Sequence, residues 1–375
     1  MDKLKKYAFP LIIALISSAI FYLSPSLSQT VRPHSPLTQH FVEARVVEIE
    51  SQQLKPDPQV PSIMTGRQIF SAEILQGEEQ GKQVRVTNPL SRQHNVYVKA
   101  GDHFIMLVRL KNGEPYYWAY NHKRSPAIYA MLALFLLLLI GFGKQQGLNS
   151  IVSLYFTAAL IIGVLIPAIF AGWNPILVTI VLIAIKIVVN YILVCGYNTK
   201  SLCAMFGTLL GVVAAGLCSQ LFGELAHLSG IYLDKGEDVI YLTTAHPIQV
   251  RWLMFTAIMI SALGAVMDVA ISIASCYHEL RQTDATLTPK QLRHASMNVG
   301  RDIMGTMTNT LILAIAGGSL TTMMMVWGFE MPVIQFINTP LVAMAMVHAL
   351  AGSIGIVLTI PLTAWLASWL FSSNR

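Results

Sequence analysis

Charge is what this chain has least of. Only 12% of its 375 residues are Asp, Glu, Lys or Arg, against 54% hydrophobic residues and a mean hydropathy of +0.57. A soluble chain carries about 25% charged residues, so most of this one is built to face lipid. Cysteine is also scarce. Cys195, Cys203, Cys218 and Cys276 all lie in or beside apolar runs. None falls in the polar stretch 29–125, which excludes a disulfide framework there and leaves the redox compartment open. Catalytic signatures are missing as well: there is no Gly-x-Ser-x-Gly and no His-Glu-x-x-His. His94, His103, His227 and His246 lack metal-ligand spacing. The run Gly77–Gln83 is one residue short of a P-loop and lacks its Ser/Thr. The chain is therefore expected not to be an enzyme, with no metal, no cofactor and no nucleic-acid partner. The methionine clusters Met323-Met324-Met325 and Met344/Met346 read as packing.

What is present is a series of long apolar runs. A span needs roughly 20 mostly apolar residues at ~1.5 Å each. That criterion predicts about eight transmembrane helices, near 8–24, 126–143, 150–172, 176–195, 202–223, 250–276, 303–327 and 340–371. The first follows a basic start, MDKLKK, and ends in SPSLSQ. Residues 1–28 thus form a membrane anchor or a signal peptide, and both readings stand. With the N-terminus cytoplasmic, the inner loops hold Lys144, Lys200, Arg281, Lys290, Arg293 and Arg301, and the end carries Arg375. The outer loops hold Trp173-Asn174, the acidic segment 224–249 with Lys235 as its lone Lys or Arg, and Glu330. The bias has one sign at every turn, as the positive-inside rule requires.

The polar segment 29–125 then lies outside the cytoplasm. Alternating β-branched runs at 41–50, 68–76, 82–88, 103–110 and 116–120 predict strands. Gly77, Gly81, Gly101-Asp102 and Asn112-Gly113 separate them. A small β-barrel of oligonucleotide-binding or SH3-like shape is expected. The predicted architecture is an all-α polytopic membrane bundle (126–375) with a small all-β extracytoplasmic domain (29–125).

Asp268 stands well inside the run Trp252–Cys276. A carboxylate at that depth costs at least about 2.5–3.5 kcal/mol on insertion scales unless paired, protonated or wetted. Ser261, Gly264, Asp268, Ser272 and Ser275 share one helical face. The glycine and serines read first as close packing, whereas packing alone does not require an acid. In the next span Asp302, Gly305, Thr306, Asn309 and Gly317 lie near one face, with Arg301 and Asp302 able to cap and anchor the helix. Thr306 and Asn309 lie deeper, where unpaired polar groups are expensive. The last span places Ala345, His348, Gly352, Gly355 and Thr359 together, followed by Pro361. His348 suits proton handling or neutral hydrogen bonding. The glycines and Pro361 read as packing or hinge positions. Lys186 sits mid-span with Asn190 one turn on, and a pairing with Asp268 is the economical expectation. The candidate path residues are thus Asp268, Ser272, Ser275, Asp302, Thr306, Asn309, His348 and Lys186. Gly264, Gly305, Gly352, Gly355 and Pro361 are the packing or hinge set.

The run GAVMDVAISIASCYHEL (264–280), with ASMNVGRDIMGTMTNTLILAIAGGSL (295–320) and AGSIGIVLTIPLTAW (351–365), resembles the bacterial YibE/F family. The segments GEEQGKQVRVTNPL, VKAGDHFIML, GFGKQQGLNS and GTLLGVVAAG extend the likeness over nearly the whole chain. Matching motif positions are Gly264, Asp268, Ser272, Ser275, Gly300, Arg301, Asp302, Gly305, Thr306, Asn309 and Thr310; His294-Ala295-Ser296-Met297 departs from the pattern. The resemblance implies a multi-pass protein of the bacterial inner membrane and carries no list of catalytic residues. Two functions compete. One is a permease for a small solute or ion using Asp268. The other is an envelope scaffold or accessory subunit that binds an envelope protein partner through its exported β domain; small-xxx-small patterns such as Gly207/Gly211 serve internal packing or a homo-oligomer equally.

Overall fold

The computed structural model describes every residue except Met1, 30–38, 112–113, 234, 242–247, 285 and 373–375. Asn112-Gly113, Asp234, His246 and Arg375 lie outside the described residues. The chain divides into two compact units, residues 34–138 and residues 1–33 with 139–375.

The first unit is one antiparallel sheet of five strands: β1 (Gln39–Pro56), β2 (Met64–Ile74), β3 (Gln83–Leu90), β4 (His103–Lys111) and β5 (Glu114–His122). All five predicted strands are there. Their order is β3-β2-β1-β4-β5. The long β1 pairs with β2 and β4 and carries register shifts at Val46/Glu48 and Ile49/Ser51. Bulges of this kind bend and twist a strand, and the sheet curls until β3 meets β5, as in a partly open barrel. Phe70 and Phe104 meet edge to face inside it, 5.5 Å between ring centroids, among Val46, Ala72, Val86 and Met106.

Two amides are buried there with full purpose. Gln68 donates to the Val98 carbonyl at 2.9 Å and accepts from its N–H at 3.3 Å, while Asn88 donates to the Val96 carbonyl at 2.8 Å. These side chains satisfy backbone groups of a segment that joins no strand. Gly66 has φ 136°, and a Cβ there would lie 2.0 Å from the Gln53 carbonyl oxygen, so only glycine fits.

The helical unit and the linking helix comprise α1 (Asp2–Gln29), α2 (Ser125–Leu160), a π-helical turn (Ile161–Leu165), α3 (Ile166–Phe170), α4 (Pro175–Cys195) and α5 (Thr199–Leu225). They continue with α6 (Gly236–Ile240), α7 (Val250–Thr283), α8 (Pro289–Gly318), α9 (Leu320–Gly328), α10 (Val333–Asn338) and α11 (Pro340–Ser372). Caps set the helix starts. Asn174 accepts from Ile176 and Leu177 ahead of α4, and Asn198 accepts from Ser201 ahead of α5. Thr288 and Gln291 form a capping box before α8, with Pro289 in its first turn. The π-helical turn precedes Pro167, whose missing N–H and bulky ring disrupt the α-helical ladder.

By length and composition, six helices among the described residues are able to cross a membrane. They are Tyr7–Pro25, Ser125–Phe170, Pro175–Cys195, Thr199–Leu225, Val250–Thr283 and Pro340–Phe371; α8 with α9 makes seven if that bent pair counts as one span. One detail departs from the expected spans. The run expected as one span over 303–327 bends by 63° between α8 and α9. Gly317, Gly318 and Ser319 stand at that break, the two glycines weakening the helix. The runs expected at 126–143 and 150–172 are separate helices: α2 is broken at Lys144 (φ 46°, ψ −121°), and its second half continues through the π-helical turn into α3. The turn there is sharp: a Cβ on Gly147 would lie 2.0 Å from the Leu139 carbonyl oxygen.

Helix α7 is the centre of the unit and packs against α4, α5, α8 and α11. The buried hydroxyl of Tyr191 on α4 donates to the Met267 carbonyl of α7 at 2.9 Å and lies 2.7 Å from the Thr208 hydroxyl of α5. Thr179 donates to Thr256 at 3.2 Å. Helices α5 and α11 cross closely, since a Cβ on Gly207 would strike Thr363 and one on Gly211 would strike Thr359. Small residues let membrane helices approach in this way. Helix α1 joins the same unit: Ile13 and Ser17 are buried, and Phe21 stacks on Tyr155 with 5.5 Å between centroids.

Candidate functional site

A helix held on so many sides has only one face left over, and on α7 that face is the polar one. Ser261, Gly264 and Asp268 are exposed, and Ser272 and Ser275 are half-buried. The opposite face, with Ala262, Val266, Val269 and Ile273, is buried. A Cβ on Gly264 would meet nothing within 4 Å, and the same holds for Gly305 on α8. No contact among the described residues explains these two glycines, although packing was the expectation for them. Gly352 and Gly355 differ: a Cβ would press on Leu311 at 2.7 Å in the first case, and on Ala215 at 2.7 Å and the Gly211 carbonyl in the second.

Asp268 makes no hydrogen bond through its carboxylate to any described residue, and its own carbonyl accepts from Ser272 at 2.7 Å. Lys186 of α4 is within electrostatic reach of it. The ammonium nevertheless donates to Asn190 at 3.3 Å, one turn on along its own helix. Asn190 in turn accepts from Ser153 at 2.5 Å. The expected direct pairing of Lys186 with Asp268 is thus replaced by a Lys186–Asn190–Ser153 chain beside the acid. No ion pair within 4 Å involves Asp268 among the described residues.

On α8, Asp302, Thr306 and Asn309 are exposed. Thr306 donates to the Ile303 carbonyl at 2.8 Å, and Thr310 donates to the Thr306 carbonyl at 2.8 Å. Because those protons are turned back onto the helix, both hydroxyls present lone pairs outward. Arg301 donates to Asn298 at 3.0 Å, an arrangement that suits an anchor.

His348 is half-buried on α11 and its Nε2 lies 2.6 Å from the Ser261 hydroxyl of α7. The imidazole therefore belongs to the same α7 face as Asp268, two turns away. A cavity lined in part by His348 contains neither Asp268 nor Asn309. Pro361 is exposed, and α11 runs on through it. Sequence reasoning missed Tyr191 and the pairing of Ser261 with His348. The only available signal was polar residues recurring inside apolar runs.

A family model described as YibE/F-like protein matches residues 131–373. The chain belongs to the YibE/F family. Comparison with curated proteins gives no match, and comparison with solved structures gives none either. The YibE/F match takes in Lys186, Asp268, Asp302, Thr306, Asn309 and His348, and leaves the five-stranded sheet outside it. At the far end of α7, Arg251 pairs with Glu224 at 3.0 Å and lies over the Phe255 ring.

Proposed function

We propose that this YibE/F protein is a bacterial inner-membrane permease for a small solute or ion, with Asp268 as the group that binds a cation or carries a proton. One observation carries the reading: Asp268 stands mid-span on an open, polar face of the most enclosed helix in the unit. Lipid does not tolerate such a face cheaply, and water or a hydrated solute does. The outward lone pairs of Thr306 and Thr310 suit a cation better than an anion. The break between α8 and α9 is the kind of interruption on which transport sites are built.

The finer topology belongs to the same proposal. Counting the halves of the element broken at Lys144 separately, and α8 with α9 as one, gives eight spans. The N-terminus is then cytoplasmic and the sheet lies outside. Packing of α1 against Tyr155 and Gly163 supports a retained anchor. No catalytic step is proposed.

The test is proton flux into proteoliposomes, read with a trapped pH dye under imposed Na⁺ and K⁺ gradients. Asp268→Asn should abolish the pH-dependent flux while the protein stays folded. Unchanged flux in that variant rejects the mechanism. A second reading, docking of an envelope protein, is favoured by exposed Phe41, Tyr116 and Tyr120 on the sheet, where Phe41 and Tyr120 meet edge to face at 5.0 Å. Deleting 29–125 separates the two readings: the permease keeps flux, and the scaffold loses its partner with an intact helical core.

A further inference from the structure

Where α8 gives way to α9, the helical unit shapes a half-open cavity of about 440 Å³, within the usual range for small-molecule sites. Its wall is mainly apolar, with Met254 of α7, Ile312 and Ala316 of α8, Phe336 of α10 and Met344 of α11. A few polar groups interrupt that wall: the Tyr232 side chain, Ser319 at the break, Thr322 in the first turn of α9, and His348. Predominantly apolar walls with few, placed polar groups are how ligand sites are built.

The hydrogen bonding of His348 sets what the polar end offers. The Ser261 hydroxyl lies 3.0 Å from the Ile258 carbonyl and 2.6 Å from Nε2 of His348, so Nε2 is engaged within the helical unit. The other ring nitrogen, Nδ1, has no hydrogen-bond partner among the described residues, and it seeks one in either tautomer. A polar atom without a partner in an apolar wall is unsatisfied unless a ligand supplies one.

We propose that this cavity binds a small, largely apolar molecule carrying one hydroxyl, which can donate or accept, held through Nδ1 of His348. The inference does not rest on conduction and does not involve Asp268.

The test uses the full chain in lipid nanodiscs and two matched probes. 4-Phenylphenol carries the hydroxyl; 4-methoxybiphenyl has nearly the same shape and lacks it. Equilibrium dialysis, corrected with empty nanodiscs, should show saturable binding at least tenfold tighter for the phenol. Selective ¹⁵N-histidine labelling should show one ring shifting on titration with the phenol. His348→Phe should erase the preference between probes. Ser261→Ala, which keeps the ring and frees Nε2 from its present contact, should reduce that preference. Ala316→Trp, which fills the cavity, should abolish saturable binding of both. Equal affinity for the two probes overturns the proposal. So does an unchanged preference in His348→Phe, or uptake that never saturates, the behaviour expected of a cavity occupied by lipid chains.

Discussion

Lys186 of α4 and Asp268 of α7 act on one another electrostatically without closing an ion pair: the ammonium donates to Asn190 at 3.3 Å and leaves the carboxyl open. A sealed pair would be inert filling. A cation held one turn aside, within electrostatic reach, tempers the acid without occupying it.

Energetic coupling between the two follows from that geometry. Lys186→Met and Asp268→Asn, measured singly and together by unfolding in detergent, should deviate from additivity by about 0.5–3 kcal/mol. Asn190→Leu should weaken the coupling, because the ammonium then loses its present acceptor. Strict additivity would mean that the charges do not act on one another.

Glycine substitutions should fall into two groups. Gly211→Ala drives a Cβ to 1.9 Å from Thr359 Oγ1 and 2.9 Å from Val266, and the β-branched Thr359 cannot swing aside freely. A loss of about 1–3 kcal/mol is expected, as for other overpacked sites. Gly264→Ala and Gly305→Ala meet nothing within 4 Å, and alanine's helix propensity, worth up to about 1 kcal/mol, should leave stability equal or higher. Differential scanning fluorimetry checks both. A fall in Tm for Gly264→Ala would show that another surface already covers that face.

The sheet should be acid-sensitive. Glu43 is held below its ordinary 4.5 by hydrogen bonds from Lys123 first and His103 second. Asp57, buried beside Arg92 at 2.6 Å, is held below its ordinary 3.8 by that guanidinium first and by the Gln59 and Val60 N–H groups after it. A carboxyl whose folded value is lowered lends stability that is complete above the unfolded value and is lost as pH falls through the folded one. Hydrogen exchange of β1 and of the 57–63 turn, corrected for intrinsic rates, should accelerate once pH drops below about 4. Lys123→Ala and Arg92→Ala should flatten that dependence.

Much of this architecture was written in residue patterns. Alternation located all five strands, and the glycine-rich turn GFGKQQG marked the break at Lys144. Hydropathy alone could not show that 303–327 bends, because a window average absorbs Gly317-Gly318-Ser319 into its apolar surroundings, whereas the two glycines weaken the helix there. Nor could spacing pair Ser261 with His348, which lie 87 positions apart. Face sharing on α7 was legible from its period. Whether that face was buried depended on how many neighbours α7 had, and tertiary packing decides that.

Gln68 offers a sharper test of the sheet. Gln68→Leu preserves bulk but leaves the Val98 N–H and carbonyl without partners. Stability should fall by about 1–3 kcal/mol, with the Val98 amide exchanging first. Asn88→Leu removes the donor to the Val96 carbonyl alone, so a smaller loss is expected.

The four-sided packing of α7 has a mechanical consequence. A helix wedged among α4, α5, α8 and α11 cannot rock without unseating all of them, so its acid occupies a fixed post. Any gating stroke must come from lighter parts swinging past it, and the elbow at Ser319 is where the chain has left itself a joint.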